Sequence, residues 1–153
     1  MAYNVVILKT FQINARFILV CLALLCIGQL QSADIEKGVP GIPPDAKSIA
    51  GNYYCGDGTG YNVYLTLKEN GSYSSVWRGC LGKYGEASGK WAISNEQIVL
   101  TPKKEKGMMK NHLRKLDALK FKTAWILVRS DDRQFYDKYG VSRYSCFQKA
   151  DEK

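Results

Sequence analysis

The sequence predicts an all-β chain: an antiparallel up-and-down meander of about seven or eight strands closing into a small barrel, with one short C-terminal helix. Three observations predict it. Apolar and polar residues alternate with period two in several short runs, the pattern of half-buried strands. Turn signals such as Glu69-Asn70-Gly71 and Asn95-Glu96 separate those runs. Asp131–Tyr139 alone among the later segments switches to helical spacing before Gly140 stops it. Closing such a meander removes its exposed edges.

The clearest element is the hairpin from Tyr61 to Gly79. Tyr61, Val63, Leu65 and Leu67 face one way, and Asn62, Tyr64, Thr66 and Lys68 the other. A two-residue Asn-Gly turn would set Leu65 against Val76 and send Tyr73 and Trp77 to solvent. A three-residue loop with Gly71 left-handed pairs Leu67 with Tyr73, Leu65 with Ser75 and Val63 with Trp77. The second register keeps one face apolar and is the expected one, since a one-residue slip exchanges the faces.

Residues 1–33 read as a secretory signal peptide. Lys9 and Arg16 supply a positive start, Phe17 to Gly28 an apolar core, and Gln29 to Ala33 a polar exit. Cleavage after Ala33 or after Gly28 both fit small-residue rules in part. The destination is then the periplasm or the exterior. Of the 153 residues, cleavage at Ala33 leaves 120, enough for one domain, and removing Lys9 and Arg16 lowers the formal net charge from +8 to +6. Residues 34–47, with Pro40, Pro43 and Pro44, read as an extended tether. The barrel domain spans 48–150, and 151–153 is a tail.

Within the domain, Ile49 to Cys55 is the first strand, and Gly56-Asp57-Gly58-Thr59-Gly60 turns the chain into the central hairpin. Gly89, Trp91 and Ile93 make a fourth inward face. Ile98 and Leu100 make a fifth, and Pro102 is expected to stop that strand. Leu116–Phe121 and Thr123–Arg129 form a hairpin whose apolar second arm needs cover on both faces. Asp131 with Gln134 resembles a capping pair, and Phe135 and Tyr139 share a helical face. Tyr144 to Gln148 is the final strand.

These residues resemble small exported calycin-type proteins, the lipocalin-like barrels, and in particular bacterial secreted members. The resemblance rests on Gly51-Asn52-Tyr53, on Leu65-Thr66-Leu67-Lys68-Glu69-Asn70-Gly71-Ser72-Tyr73, and on Gly89-Lys90-Trp91. It implies an up-and-down barrel able to hold a small apolar ligand. The chain departs from the familiar pattern, because Gly-x-Trp falls in the fourth strand and not in the first. No residue role is carried over.

No catalytic, metal or cofactor constellation stands out, and the chain reads as non-enzymatic. His112, the only histidine, stands among lysines with no carboxylate beside it in sequence to orient it. Asp57-Gly58-Thr59-Gly60 offers one carboxylate where a calcium loop supplies several. The glycines from Gly79 to Gly85 lack the Gly-Lys-Ser/Thr ending and following helix of a phosphate cradle. Asn70-Gly71-Ser72 is a glycosylation sequon in a eukaryotic setting only.

Three surfaces remain as binding candidates. Tyr53, Tyr61, Tyr73, Trp77 and Trp91 point to one interior, where they either line a pocket for a small amphipathic ligand or fill the barrel. Lys103, Lys104, Lys106, Lys110, Arg114 and Lys115 form a basic surface for weak contact with anionic membrane or polysaccharide. Nucleic acid is disfavoured, because the aromatics fall at core positions and not on the basic face. The leading reading is an exported binding module. The alternative is a secreted protein-interaction or enzyme-inhibitor protein that presents the Gly79–Gly85 loop.

Strand order also bears on the cysteines. Cys55 and Cys80 are separated by a strand, about 9.5 Å, beyond the roughly 7 Å a bridge tolerates. First-to-last closure would set Cys55 beside Cys146, so a Cys55–Cys146 disulfide is expected, with Cys80 a free thiol.

Overall fold

The computed structural model describes residues 35–43 and 45–150. The leader with its two cleavage positions, and the tail 151–153, lie outside the described residues. The central hairpin fixes the frame. β3 (Asn62–Leu67) and β4 (Ser72–Gly79) pair Leu67 with Tyr73, Leu65 with Ser75 and Val63 with Trp77, the expected register. Gly71 holds the turn at φ +73°, and its carbonyl oxygen accepts from the Trp91 amide at 2.8 Å, tying the turn to the next strand.

Eight antiparallel strands then follow in chain order. They are β2 (Gly51–Gly56), β3, β4, β5 (Gly82–Ser94), β6 (Gln97–Gly107), β7 (Lys115–Phe121), β8 (Ala124–Arg129) and β9 (Phe147–Lys149). β9 pairs with both β8 and β2, so first and last strands meet and the barrel closes. This is an eight-stranded up-and-down meander, an architecture compatible with the lipocalin-like fold. The turn at Asn95 and Glu96 puts both residues at positive φ, 49° and 65°, the geometry that suits the right-handed twist of a tight hairpin.

Several boundaries differ from expectation for identifiable reasons. β5 begins at Gly82, well before Gly89, and β6 runs through Pro102 to Gly107. Proline does not stop β6 because the register shifts there: Gly89 pairs with Pro102 but Ser88 with Lys104, so the residue without an N–H sits at a bulge. β6 pairs only with residues 115–117 of β7. A two-residue strand, β1 (Val39–Pro40), takes up the open edge at Leu119 and Lys120. The segment expected to be a tether is therefore anchored. The Gly38 amide donates to the Tyr136 hydroxyl at 2.5 Å, and the Gly41 amide donates to the Ala118 carbonyl oxygen. Past it, α1 (Ala46–Ile49) is capped by Asp45, whose carboxylate accepts from the Ser48 amide, and its Ile49 is wholly buried.

The interior is one apolar cluster that includes Val63, Leu65, Leu67, Trp91, Ile98, Leu100, Leu116 and Leu127. A second cluster lies outside the barrel wall. There Leu119, Ile126 and Val128 meet Tyr136 and Cys146, which covers the other face of β8 as its apolar run requires. The helix comes in two pieces, a 3-10 turn at Ser130–Asp132 and α2 (Arg133–Tyr139). Phe135 and Tyr139 share a face as expected, but Tyr136 supplies the face that packs. Tyr136 is buried, while Phe135 and Tyr139 are about half exposed and stack on each other at 4.5 Å. The Asp131–Gln134 pair makes no cap, because the 3-10 turn moves the true start of α2 past it.

Candidate functional site

Every strand contributes an end to one rim of the barrel: the C-terminal ends of β2, β4, β6 and β8 and the N-terminal ends of β3, β5, β7 and β9. Chemistry-bearing side chains collect there. The segment 108–114 that joins β6 to β7 crosses this rim inward. Gly107 permits the fold-back at φ +58°, where a side chain would collide with the Tyr84 carbonyl oxygen. Met109 and Leu113 are then buried in the barrel core, so the segment is a plug even though it lies between the exposed lysines of β6 and Lys115. Arg114 staples it, donating to both carboxylate oxygens of Glu105 at 2.5 and 2.7 Å and to Asn111 at 2.7 Å. That ion pair holds the Glu105 carboxyl below its ordinary range.

His112 rides on the plug. Its ring lies 4.9 Å from Trp77 and 6.3 Å from Tyr61, and Trp77 packs edge-on to Tyr61 at 4.8 Å. Arg129, at the end of β8, approaches Nδ1 of His112 to 2.7 Å and is held from the other side by both oxygens of Asp132. Guanidinium only donates, so the imidazole nitrogen accepts and the ring is neutral. Burial, reinforced by the Arg129 charge, lowers the His112 pKa to about 4. Sequence reasoning missed this partner because the orienting groups are Arg129 and Asp132, brought in by strand closure. The His112 ring is thus held neutral beneath a guanidinium, with Asp132 engaged by Arg129 and Asp131 close by on the 3-10 turn.

The interior aromatics all face the core, as the alternation implies. The Tyr53 hydroxyl donates to the Ile49 carbonyl oxygen at 2.6 Å, and the Trp91 indole N–H donates to the Lys68 carbonyl oxygen at 2.9 Å. Tyr61 meets the Cys55 thiol, whose pKa burial pushes up to about 12. Tyr73 Oη and Trp77 Nε1 are buried without a partner. Three surface concavities, of about 650, 560 and 330 Å³, are lined by other residues and lie outside this aromatic set. Two polar orphans are thus the only unspent recognition groups among these five.

The three cysteines among the described residues are thiols. Seam closure brings the Gly56 amide to the Arg143 carbonyl oxygen at 2.7 Å, and Cys55 and Cys146 stand there as two thiols, with Cys146 near enough to help raise the Cys55 pKa. The two side chains leave opposite faces of the wall: Cys55 belongs to the interior cluster and Cys146 to the outer one beside Tyr136. Cys80 is exposed, with its thiol against the Thr59 carbonyl oxygen at 3.3 Å.

On the outside of the same rim, β4 and β5 run on to a tight turn in which Gly79 pairs with Gly82. Leu81 at its tip is 91% exposed, and Met108, whose amide donates to the Tyr84 carbonyl oxygen, is 57% exposed. Lys83, Lys104 and Lys106 surround the single carboxylate of Glu86, whose pKa the Lys83 hydrogen bond lowers first. Of the expected basic residues, Lys103, Lys104, Lys106, Lys110 and Lys115 are exposed. Lys103, Lys104 and Lys110 line the 330 Å³ concavity with Glu105 and Asn111. Arg114 is not free, being spent on Glu105. The Asp57 carboxylate accepts from the Thr59 and Tyr61 amides at 2.7 and 3.0 Å, so it serves the turn. Comparison of the chain with family models, with curated proteins and with solved structures finds no match.

Proposed function

We propose that this chain is an exported, non-enzymatic binding module that works through the outside of one barrel end, where the Gly79–Gly85 hairpin projects. One observation carries the reading: Leu81 stands 91% exposed at the tip of a two-residue turn, while the polar tips of buried Tyr53 and Trp91 are spent on carbonyl oxygens in the core. An isolated exposed leucine is ordinary on a folded surface. This one differs in position, because it shares its rim with exposed Met108 and a half-exposed Tyr84. Export is supported by the charged start and apolar core of residues 1–33.

Cys80 provides the test. A thiol-linked photocrosslinker on Cys80 should capture a macromolecule from the compartment into which the chain is exported. The same reagent on a Glu96→Cys, Cys80→Ser variant reports from the β5–β6 turn at the other end of the barrel and should not. Equal capture at both positions, or none at Cys80, would sink the reading.

A second reading, a small amphipathic ligand inside the barrel, is favoured by the unpartnered Tyr73 hydroxyl and Trp77 indole N–H. Native mass spectrometry of protein purified without denaturation distinguishes it. A co-purified adduct released on unfolding supports this reading, and a bare mass supports the surface reading.

A further inference from the structure

We infer that the same rim docks on an anionic lipid bilayer, with Leu81, Tyr84 and Met108 entering the interface and the surrounding lysines holding headgroups. The inference rests on the surface reading above and names the partner. Its argument is the juxtaposition of two kinds of group. Leu81 caps the β4–β5 turn, the Tyr84 ring packs over Gly79 in that turn, and Met108 is hydrogen-bonded by its amide to Tyr84. The three apolar side chains therefore belong to adjoining strand ends at one end of the barrel, and all three are exposed.

Cations ring that point. Arg78 pairs across the ladder with Lys83, Lys106 pairs with Glu86, Lys104 pairs with Ser88, and Lys110 follows the fold-back at Gly107. Glu86 already carries an ion pair with Lys83, and the nearby Glu105 is committed to Arg114. Arg78, Lys104, Lys106 and Lys110 have no carboxylate partner among the ion pairs of the described residues. A cationic ring with an apolar centre matches an anionic bilayer, which offers negative headgroups above a hydrocarbon phase. A soluble polyanion answers the charges but leaves Leu81 and Met108 without an apolar partner. A concave protein cleft would answer the tip but not the spread of positive charge along β5 and β6.

The test uses the folded chain as exported, without residues 1–33 and so without Cys21 and Cys26, with an environment-sensitive fluorophore on Cys80 at the tip. Vesicles of equal parts phosphatidylcholine and phosphatidylglycerol should co-sediment the protein and shift the emission to the blue, and vesicles of phosphatidylcholine alone should do neither. Leu81→Asp with Met108→Asp should abolish the blue shift. Lys104→Gln and Lys106→Gln should each weaken binding about five-fold, and raised salt should weaken it further. All four positions are exposed, and an unchanged melting temperature confirms that each variant folds. Three outcomes overturn the inference: no co-sedimentation with the anionic vesicles, co-sedimentation without a blue shift, or binding indifferent to Leu81→Asp with Met108→Asp. If vesicles fail while the Cys80 crosslinker still captures a protein, bilayer docking falls and the surface reading stands.

Discussion

The Arg129 guanidinium sits 2.7 Å from Nδ1 of His112, at the point where the end of β8 meets the segment that plugs the barrel. Around the imidazole stand Arg129 on β8, Asp131 and Asp132 on the 3-10 turn, Tyr61 just before β3, and Trp77 on β4. The folded-state pKa, about 4, lies below the ordinary histidine value. Unfolded chains therefore take up a proton at His112 before folded ones do. The stabilisation from holding it neutral is complete above about pH 6.5 and is lost as pH falls toward 4. Since the ring keeps some contact with solvent, the change amounts to about 1–2 kcal/mol. Urea titrations at pH 7 and pH 4.5 should show His112→Gln losing less stability on acidification than the parent chain. Equal losses would show that His112 does not titrate differently in the two states.

Two tyrosines on the same wall predict opposite responses to removal of one oxygen. Tyr53→Phe deletes a hydroxyl that donates to Ile49 at 2.6 Å and should cost about 1 kcal/mol. Tyr73→Phe removes a buried hydroxyl with no partner and should be neutral or stabilising by up to about 1 kcal/mol. Equilibrium denaturation separates the two. A clear loss at Tyr73 would mean that its hydroxyl has a partner inside the barrel, in keeping with a ligand there.

The plug depends on a two-toothed ion pair. Arg114→Gln releases Glu105 and Asn111 together and should lower stability by about 1 kcal/mol, a figure kept small because the pair is partly solvated. Its larger effect should be local. Amide exchange at Leu113 and cleavage by trypsin after Lys110 should both speed up, while exchange in β3 and β4 stays as it was. Unchanged exchange at Leu113 would show that Met109 and Leu113 hold the segment without Arg114.

Thiol chemistry checks the cysteine arrangement. A native sample of the described domain should present one fast thiol, exposed Cys80, because Cys55 is pushed up to about 12 and Cys146 is raised by burial. Unfolding without reductant should reveal all three. If only one appears after unfolding, Cys55 and Cys146 have joined across the seam. That join would require one of them to turn through the barrel wall.

What was legible in the sequence, and what was not, divides along a physical line. The Leu67–Tyr73 register could be read because a one-residue slip would have turned Tyr73 and Trp77 to water. Closure followed from the need to remove strand edges, and the cover over β8 from its unbroken apolar run. The plug could not be read from charge, since Met109 and Leu113 lie in a run of lysines. Their four-residue spacing after a glycine was the available signal. The anchoring of residues 38–41 is carried by backbone groups meeting Tyr136 and Ala118, and backbone groups leave no trace in composition. Phe135 and Tyr139 do share a helical face, and which face packs was not legible because Tyr136 also offers a hydroxyl that the Gly38 amide meets at the wall.

The last strand is only three residues long, and both neighbours that it joins were made much earlier in the chain: Tyr53 pairs with Lys149, and Leu127 with Phe147. During synthesis the first seven barrel strands can form a curled sheet, but the sheet keeps two raw borders until Phe147 to Lys149 emerge. A nascent chain halted before that point would display the hydrogen-bonding rims of β2 and β8 together, an invitation to pair with a neighbouring copy. Closure of the barrel thus waits on Phe147 to Lys149, and removing that strand should convert a closed barrel into a self-associating sheet.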